Sequence, residues 1–411
     1  MKITLVHPYR HHTYNTVKAL AKLDNDLEVY YGYYNKNNYV YNLLKKYQEN
    51  KFISKFLGYN DVEIDKYVKI DIVSNILFLI SKKDERKIEI FRREFQKRTL
   101  KKVGNKDIYF ILQDYCNDIL EYAYENNKII IYDQITPAGE KQRKLLLREA
   151  KKYNFPISYV DKFLAEDKIQ ENYNNIKKAN IIINASNSTY KITEDILGKE
   201  KASKSSFIIP YGTNFEHMKE DEFKEYIEYK QNNLENRKLK LLYVGSISLA
   251  KGINYLIEII EELKDCNIEF GVVGVPNKEE DQIFIEKLNE FDNVKYYGSV
   301  PHRQINQIYK EYDMFIFTSI IEGFGMVTLE AMSMGLPCIV NEYCSSVVEN
   351  KYNGFIVDDI DSKYYVDTIK HVLKDNKILR NMSYNAYNTS KKYTWNRYID
   401  QLTTILQSSI L

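Results

Sequence analysis

At 411 residues the chain is long for one hydrophobic core, and 44% hydrophobic with 28% charged residues is the composition of a globular protein of two or three domains. A formal net charge of +2 gives no basic field that would argue for nucleic acid, and the longest apolar run, 70–80, is too short and interrupted to span a bilayer. The four cysteines lack CxxC spacing and suit a reducing compartment, and MKITLVHPYR lacks the features of a signal peptide, so the expectation is a cytoplasmic protein, with contact at the inner face of a membrane left open.

In chain order the strand candidates are 2–8, 26–32, 107–113, 128–134, 180–186 and 207–213, with helical patterns between most of them. Residues 213–238 are polar and charged, and read as a linker plus a solvated helix. The rhythm restarts with strands at 239–247, 268–274, 293–300, 313–319 and 337–342, and the tail 393–406 reads as an amphipathic helix with Thr394 as its N-cap. Alternating strands and helices argue for parallel sheets, so the fold class is α/β with two Rossmann-like domains facing across a cleft. The expected division is 1–213, a linker over 214–238, and 239–392, with 393–411 as a returning helix.

The stretch EGFGMVTLEAMSMGLP, 322–337, places a glycine-flanked turn before an apolar helix whose only ionisable side chain is Glu330. The first N–H groups of such a helix lack intrahelical partners and favour an anion. Glu330 follows Gly325 by five residues, roughly 7 Å along a helix, which suits a ribose diol beyond a diphosphate. Glu322, before the turn, would meet whatever the diphosphate carries. The plainer alternative is a buried structural glutamate beside a tight turn. A second glycine-bearing turn, YVGSISLAKG, carries Gly245 and then Lys251 near a helix start, where a cation serves a phosphate.

Glu322 and Glu330 at E-x7-E spacing, with VGSISLAKGINYLIE, NVKYYGSVP, IYKEYDMFIFTS and NGFIV, resemble the signature of family 4 (group 1) glycosyltransferases. ANIIINASNSTY, IIPYGTNFE and KYTWNRY resemble that family's last N-terminal strands and closing helix. The resemblance implies a GT-B fold whose C-terminal helix crosses back to the N-terminal domain, a nucleotide-diphosphate sugar donor (UDP- or GDP-linked), retention of anomeric configuration, and neither cofactor nor divalent metal. It implies that Glu330 holds the ribose hydroxyls, Glu322 touches the donor sugar, and the backbone of Gly325, Met326 and Val327 holds the diphosphate. Lys251 would neutralise the leaving diphosphate, Val300 would hold the base through its main chain, and Phe324, Gly245 and Ser246 complete the donor side.

The chain departs from the family pattern at three places. Ser246 stands where an arginine is frequent, leaving Lys251 with more of the charge and Arg10, His11 or Arg303 as helpers. The loop HPYRHHTYNT lacks the usual glycine pair, and Asp133 occupies a position where many members have histidine. Asp133 and Gln134 read equally as turn residues or as functional groups at a strand's carboxyl end. His7, His11 and His12 read first as surface histidines and second, for Arg10, His11 and His12, as acceptor or phosphate contacts; their spacing fits no zinc site. His217, His302 and His371 are assigned no role.

Residues 81–102 hold ten Lys/Arg against four Asp/Glu, with Ile88, Phe91 and Phe95 on one helical face. They read as a solvated helix docked by its apolar side, or as a basic surface for anionic lipid or a lipid-diphosphate acceptor. The expected activity is glycosyl transfer to an acceptor hydroxyl in bacterial surface glycan assembly, with Glu322, Lys251 and Asp133 as catalytic candidates. A nucleotide-sugar-binding scaffold and a GT-B sugar-nucleotide epimerase are the alternatives.

Overall fold

The computed structural model describes residues 1–9, 12–24, 26–34, 63–69, 71–81, 84–215, 217–344 and 346–410. Two sheets organise them, and every strand pairing within each is parallel. The first contains β1 (Ile3–His7), β2 (Glu28–Tyr31), β3 (Val68–Lys69), β4 (Ile108–Leu112), β5 (Ile129–Gln134), β6 (Ile181–Asn184) and β7 (Ser206–Ile208), in the order β3-β2-β1-β4-β5-β6-β7. The second contains β8 (Leu239–Val244), β9 (Ile268–Val273), β10 (Val294–Gly298), β11 (Met314–Phe317), β12 (Cys338–Asn341) and β13 (Gly354–Val357), in the order β10-β9-β8-β11-β12-β13.

The central strands are dominated by Ile, Val, Leu, Phe and Tyr because helices cover both faces of a parallel sheet; β4, for example, is IYFIL, buried at all five positions. In each sheet the winding direction reverses at one place, between β1 and β4 and between β8 and β11. At such switch points the loops leaving the strands' carboxyl ends splay apart and leave a crevice for ligand. The two-domain α/β architecture and the returning C-terminal helix are as expected from the sequence. Strands β3 and β13 were not, and β7 spans Ser206–Ile208, earlier and shorter than the apolar run at 207–213 suggests.

The helix expected to be solvated, here Glu220–Asn232, corrects that expectation on one face. Phe223 and Ile227 are buried in the second core, and Phe223 stacks on Tyr387 with ring centroids 3.8 Å apart. Tyr226, whose hydroxyl donates to the Lys310 carbonyl at 2.7 Å, and Lys230, paired with Asp313, complete the docking.

Helices Glu140–Lys152 and Ile157–Leu164 lie between β5 and β6 in sequence, yet Leu146, Ala150, Tyr159 and Val160 pack into the second core. The buried Glu149 carboxylate accepts hydrogen bonds from Arg148 at 2.8 Å and from Asn254 of the second half at 3.0 Å, and Tyr159 donates to Asp281 at 2.5 Å. These contacts join the halves beside the cleft.

The terminal helix Trp395–Ile410 returns to the first sheet, where Tyr398, Leu402 and Leu406 are buried against helix Thr13–Ala21 and the Tyr398 hydroxyl lies 2.9 Å from Oγ1 of Thr16. Thr394 caps it, its hydroxyl accepting the Arg397 N–H at 3.2 Å. The chain passes between the sheets near 209–219 and again near 390–395. The two passages are tied where the Thr213 N–H donates to the Tyr393 carbonyl at 3.1 Å.

Candidate active site

Lys251 and Glu322 come from the two loops that flank the second switch point, one after β8 and one after β11. Gly252 makes this possible: it sits at φ +67°, and a Cβ there would lie 1.9 Å from the Thr318 carbonyl oxygen, so only glycine lets the first loop press against the second. Lys251 Nζ then lies 2.7 Å from Glu322 Oε2 and donates to the Ile321 carbonyl at 3.2 Å. The other Glu322 oxygen, Oε1, accepts the Gly325 N–H at 3.0 Å, just ahead of helix Met326–Ser333. A cation, a carboxylate and a helix N-terminus thus converge at the end of the second sheet.

Glu330 lies in that helix, and its Oε2 faces the buried Tyr309 hydroxyl at 3.4 Å. Burial lifts the Glu330 carboxyl to about 7, against the pull of the Tyr309 hydrogen bond. Tyr309 also approaches the Val327 carbonyl, at 3.5 Å, so one hydroxyl serves both the carboxylate and the helix start. Gly245 donates its N–H to Val273, and the Ser246 carbonyl accepts from the Tyr243 hydroxyl at 3.1 Å. Val300 is half-buried in the loop leaving β10, and Met326 and Val327 are half-buried at the helix start.

The first domain closes against this site at Gly323. A Cβ on Gly323 would lie 1.8 Å from the Ile135 carbonyl oxygen, in the loop after β5. That loop is fixed by Gln113, whose buried side-chain oxygen accepts the N–H groups of Ile135 and Thr136 at 3.0 and 2.8 Å. Ser188 adds a contact at 3.3 Å to the Glu322 carbonyl.

Asp133 and Gln134 belong to β5 itself and are buried, which corrects the reading of them as turn residues. Asp133 Oδ2 lies 2.7 Å from His12 Nε2, whose side chain is only 6% exposed. His7 is fully buried and stacks on Tyr115 at 4.9 Å. The expectation of surface histidines is therefore overturned for His7 and His12. The loop after β1 is roofed by Tyr115, Tyr211 and the returning helix, a tertiary arrangement that local sequence does not reveal. Arg10 and His11 lie outside the described residues, as does the side chain of Arg303.

Three groups escaped sequence reasoning. Tyr309 partners Glu330. Tyr211 is buried with its ring 4.3 Å from that of His12 and 5.3 Å from that of Phe324, linking the halves. Asp114, at the carboxyl end of β4, has φ +68°, and burial raises its carboxyl to about 6. The 37 tyrosines hid the first two, since none stood out from the rest.

Residues 225–389 match the family described as glycosyl transferases group 1. An uncharacterised 41.2 kDa protein of the cps region of Klebsiella pneumoniae is 29% identical over 141 residues, 33% of this chain and 37% of that protein. The capsular polysaccharide biosynthesis glycosyltransferase CapM of Staphylococcus aureus is 26% identical over 224 residues, 51% of this chain and 55% of CapM. The matches thus span about a third to a half of these relatives' length. Among solved structures, Anabaena Alr3699/HepE in complex with UDP superposes with a TM-score of 0.62 at 14% identity, covering 99% of this chain and 100% of that one.

Proposed function

We propose that this chain, whose residues 225–389 match the group 1 glycosyl transferases, is a retaining glycosyltransferase that moves a sugar from a nucleotide-diphosphate donor to an acceptor hydroxyl in surface glycan or glycoconjugate assembly. The observation that carries this reading is the convergence of Lys251, Glu322 and the 325–327 helix start at the switch point of the second sheet.

In this reading the diphosphate lies on the backbone N–H groups of 325–327 with Lys251 beside it. The two ribose hydroxyls donate to the Glu330 carboxylate, and Glu322 turns from Lys251 to the donor sugar. The bond between the anomeric carbon and the diphosphate oxygen breaks, and negative charge grows where cation and helix dipole are already oriented. The acceptor oxygen bonds to the anomeric carbon on the face the diphosphate leaves, and its proton passes to the departing diphosphate oxygen. No metal is required, because Lys251 and the helix supply the positive field.

UDP is the nucleotide we favour, because Alr3699/HepE, of the same fold, was crystallised with UDP. A relative described as a capsular polysaccharide biosynthesis glycosyltransferase supports a glycan acceptor. Four cysteines without disulfides fit action in the reducing cytoplasm. Thermal-shift titration with UDP, GDP, ADP and CMP tests the donor assignment, since a ligand of the folded state raises the unfolding midpoint. Release of UDP that depends on an added acceptor separates transfer from epimerisation and from passive binding.

A further inference from the structure

Helices Ile72–Ser81 and Glu85–Leu100 pack side by side, joined by three residues. Their inner faces are well accounted for. Phe78 meets Tyr9 and Tyr33, Phe91 and Phe95 are buried, and Arg92 donates to the Tyr9 hydroxyl at 3.0 Å. Asp71 binds Arg98 and Lys102, and despite its burial these cations and the Ser74 N–H hold its carboxyl well below the usual range. The pair therefore sits firmly on the loops that leave β1 and β2, at the cleft end of the first sheet.

The outer faces have no such account. Val73, Ile76 and Ile80, at i, i+3 and i+7, are 42%, 49% and 58% exposed and form an apolar stripe on the first helix. On the second, Arg86, Ile90, Arg93, Lys97 and Lys101 recur at i, i+4, i+7, i+11 and i+15, all exposed, with Ile90 at 46%. Glu89, exposed, and Glu94, half-buried, are the only carboxylates between Arg86 and Lys101. No ion pair between described residues engages Arg86, Arg93, Lys97 or Lys101, whereas the inward Arg98 pairs with Asp71 and Arg92 lies against Tyr9 and Tyr115. An apolar ridge beside an excess of unneutralised cations matches the interface of an anionic bilayer, where hydrocarbon takes the ridge and headgroups take the cations.

We propose that the helical pair 72–101 docks the protein on an anionic lipid surface, with Val73, Ile76 and Ile80 entering the headgroup boundary and Arg86, Arg93, Lys97 and Lys101 facing lipid phosphates. The pair rests on Tyr9, beside the β1 loop that leads to His12, so docking here brings the acceptor side of the cleft to the bilayer. The cationic face alone would attract any polyanion; the apolar stripe is what selects a membrane. The proposal does not depend on the transferase reading, because docking requires no donor.

Co-sedimentation at low ionic strength with vesicles of phosphatidylglycerol and phosphatidylcholine, and with phosphatidylcholine alone, tests it. Wild-type protein sediments with the anionic vesicles and is released by salt. Changing Arg93, Lys97 and Lys101 together to Gln lowers that binding roughly 10²-fold, about fivefold for each cation near an anionic surface. The pair Ile76→Ser and Ile80→Ser lowers it about tenfold or more. All five side chains are exposed, so unfolding midpoints stay put, and the glutamine variant decides the matter if the serine variant does not fold. Failure of wild-type protein to sediment with anionic vesicles, equal binding to both compositions, or unchanged binding by the variants each overturns the proposal. So does a wild-type dimer that the serine variant converts to monomer, because the stripe would then cover a second copy. UDP release measured in parallel reports on the transferase reading separately.

Discussion

The Lys251 ammonium and the Glu322 carboxylate, 71 residues apart in sequence, form an ion pair at 2.7 Å, with the second carboxylate oxygen on the Gly325 N–H at 3.0 Å. Glu322 thus sits where a diphosphate would sit, holding both the cation and the helix start that would receive it. In the proposed reading, donor binding exchanges one anion for another at a cation and a helix start that are already in place.

Removing the cation therefore affects the transition state most. Lys251→Ala lowers turnover by about 10²-fold or more, with a smaller change in donor affinity, because charge on the diphosphate grows as the bond breaks. Steady-state kinetics with separate measurement of donor binding checks the split. Near-normal turnover would show that another cation serves the diphosphate.

Glu322→Gln behaves differently. It removes a carboxylate from the anion seat, so UDP, which has no sugar for Glu322 to hold, binds at least as tightly as to the wild type. Turnover with the full donor falls. Calorimetry with UDP beside a transfer assay reads both, and weaker UDP binding would contradict the exchange of anions described above.

Glu330 gives a pH dependence. Its carboxyl is raised from 4.5 to about 7 by burial, so between those values the folded chain holds a proton that the unfolded chain has lost. This group makes the ligand-free protein less stable as pH rises across that window, by up to about 3 kcal/mol at 1.36 kcal/mol per pH unit. Glu330→Gln abolishes that slope. A ribose diol favours the carboxylate form, so affinity for UDP-glucose rises with pH through about 7 and levels off above it. Tyr309→Phe, which removes a hydrogen bond that favours the carboxylate, moves this rise to higher pH. A UDP-glucose titration at several pH values that gives the same curve for wild type and Glu330→Gln removes Glu330 from the ribose.

Gly323→Ala tests the closure of the first domain on the site. The added methyl cannot fit 1.8 Å from the Ile135 carbonyl oxygen, so the two halves must move apart there. Donor contacts within the second domain survive while those made across the cleft are lost, which lowers kcat with little change in UDP affinity. A parallel loss of both would mean that the loop itself had collapsed.

Metal removal completes the set. With Lys251 and the helix start as the positive field, transfer persists in EDTA and is not restored or raised by Mg2+ or Mn2+. An assay in chelated buffer measures it directly.

The fold was largely legible because parallel strands buried on both faces leave continuous apolar runs, and β1, β4, β5, β8 and β9 each announce themselves this way. Strand β3, Val68–Lys69, is too short to carry any period, and β13 was visible as a motif without being read as a strand. On the donor side the glycines and lone charges of 245–252 and 322–330 stood out from their surroundings, which made Lys251, Glu322 and Glu330 conspicuous. The first-domain side of the cleft was less readable for a physical reason. His12 meets Asp133 across 121 residues, and Tyr211 touches His12, Phe324 and Trp395, so its architecture exists only after three distant segments have packed together. Asp114 is distinguished by a left-handed backbone and burial, neither of which a sequence displays.

The two chain passages between the sheets, tied at Thr213 and Tyr393, have a mechanical consequence. The passages meet again where His217 Nε2 lies 2.9 Å from Ser390 Oγ, and the buried Glu149–Asn254 and Tyr159–Asp281 contacts bridge the halves as well, so opening the cleft must strain or break a seam of several contacts rather than one. A molecule or substitution that stiffens this corner would slow the admission of donor and the escape of product, without touching any residue that binds either.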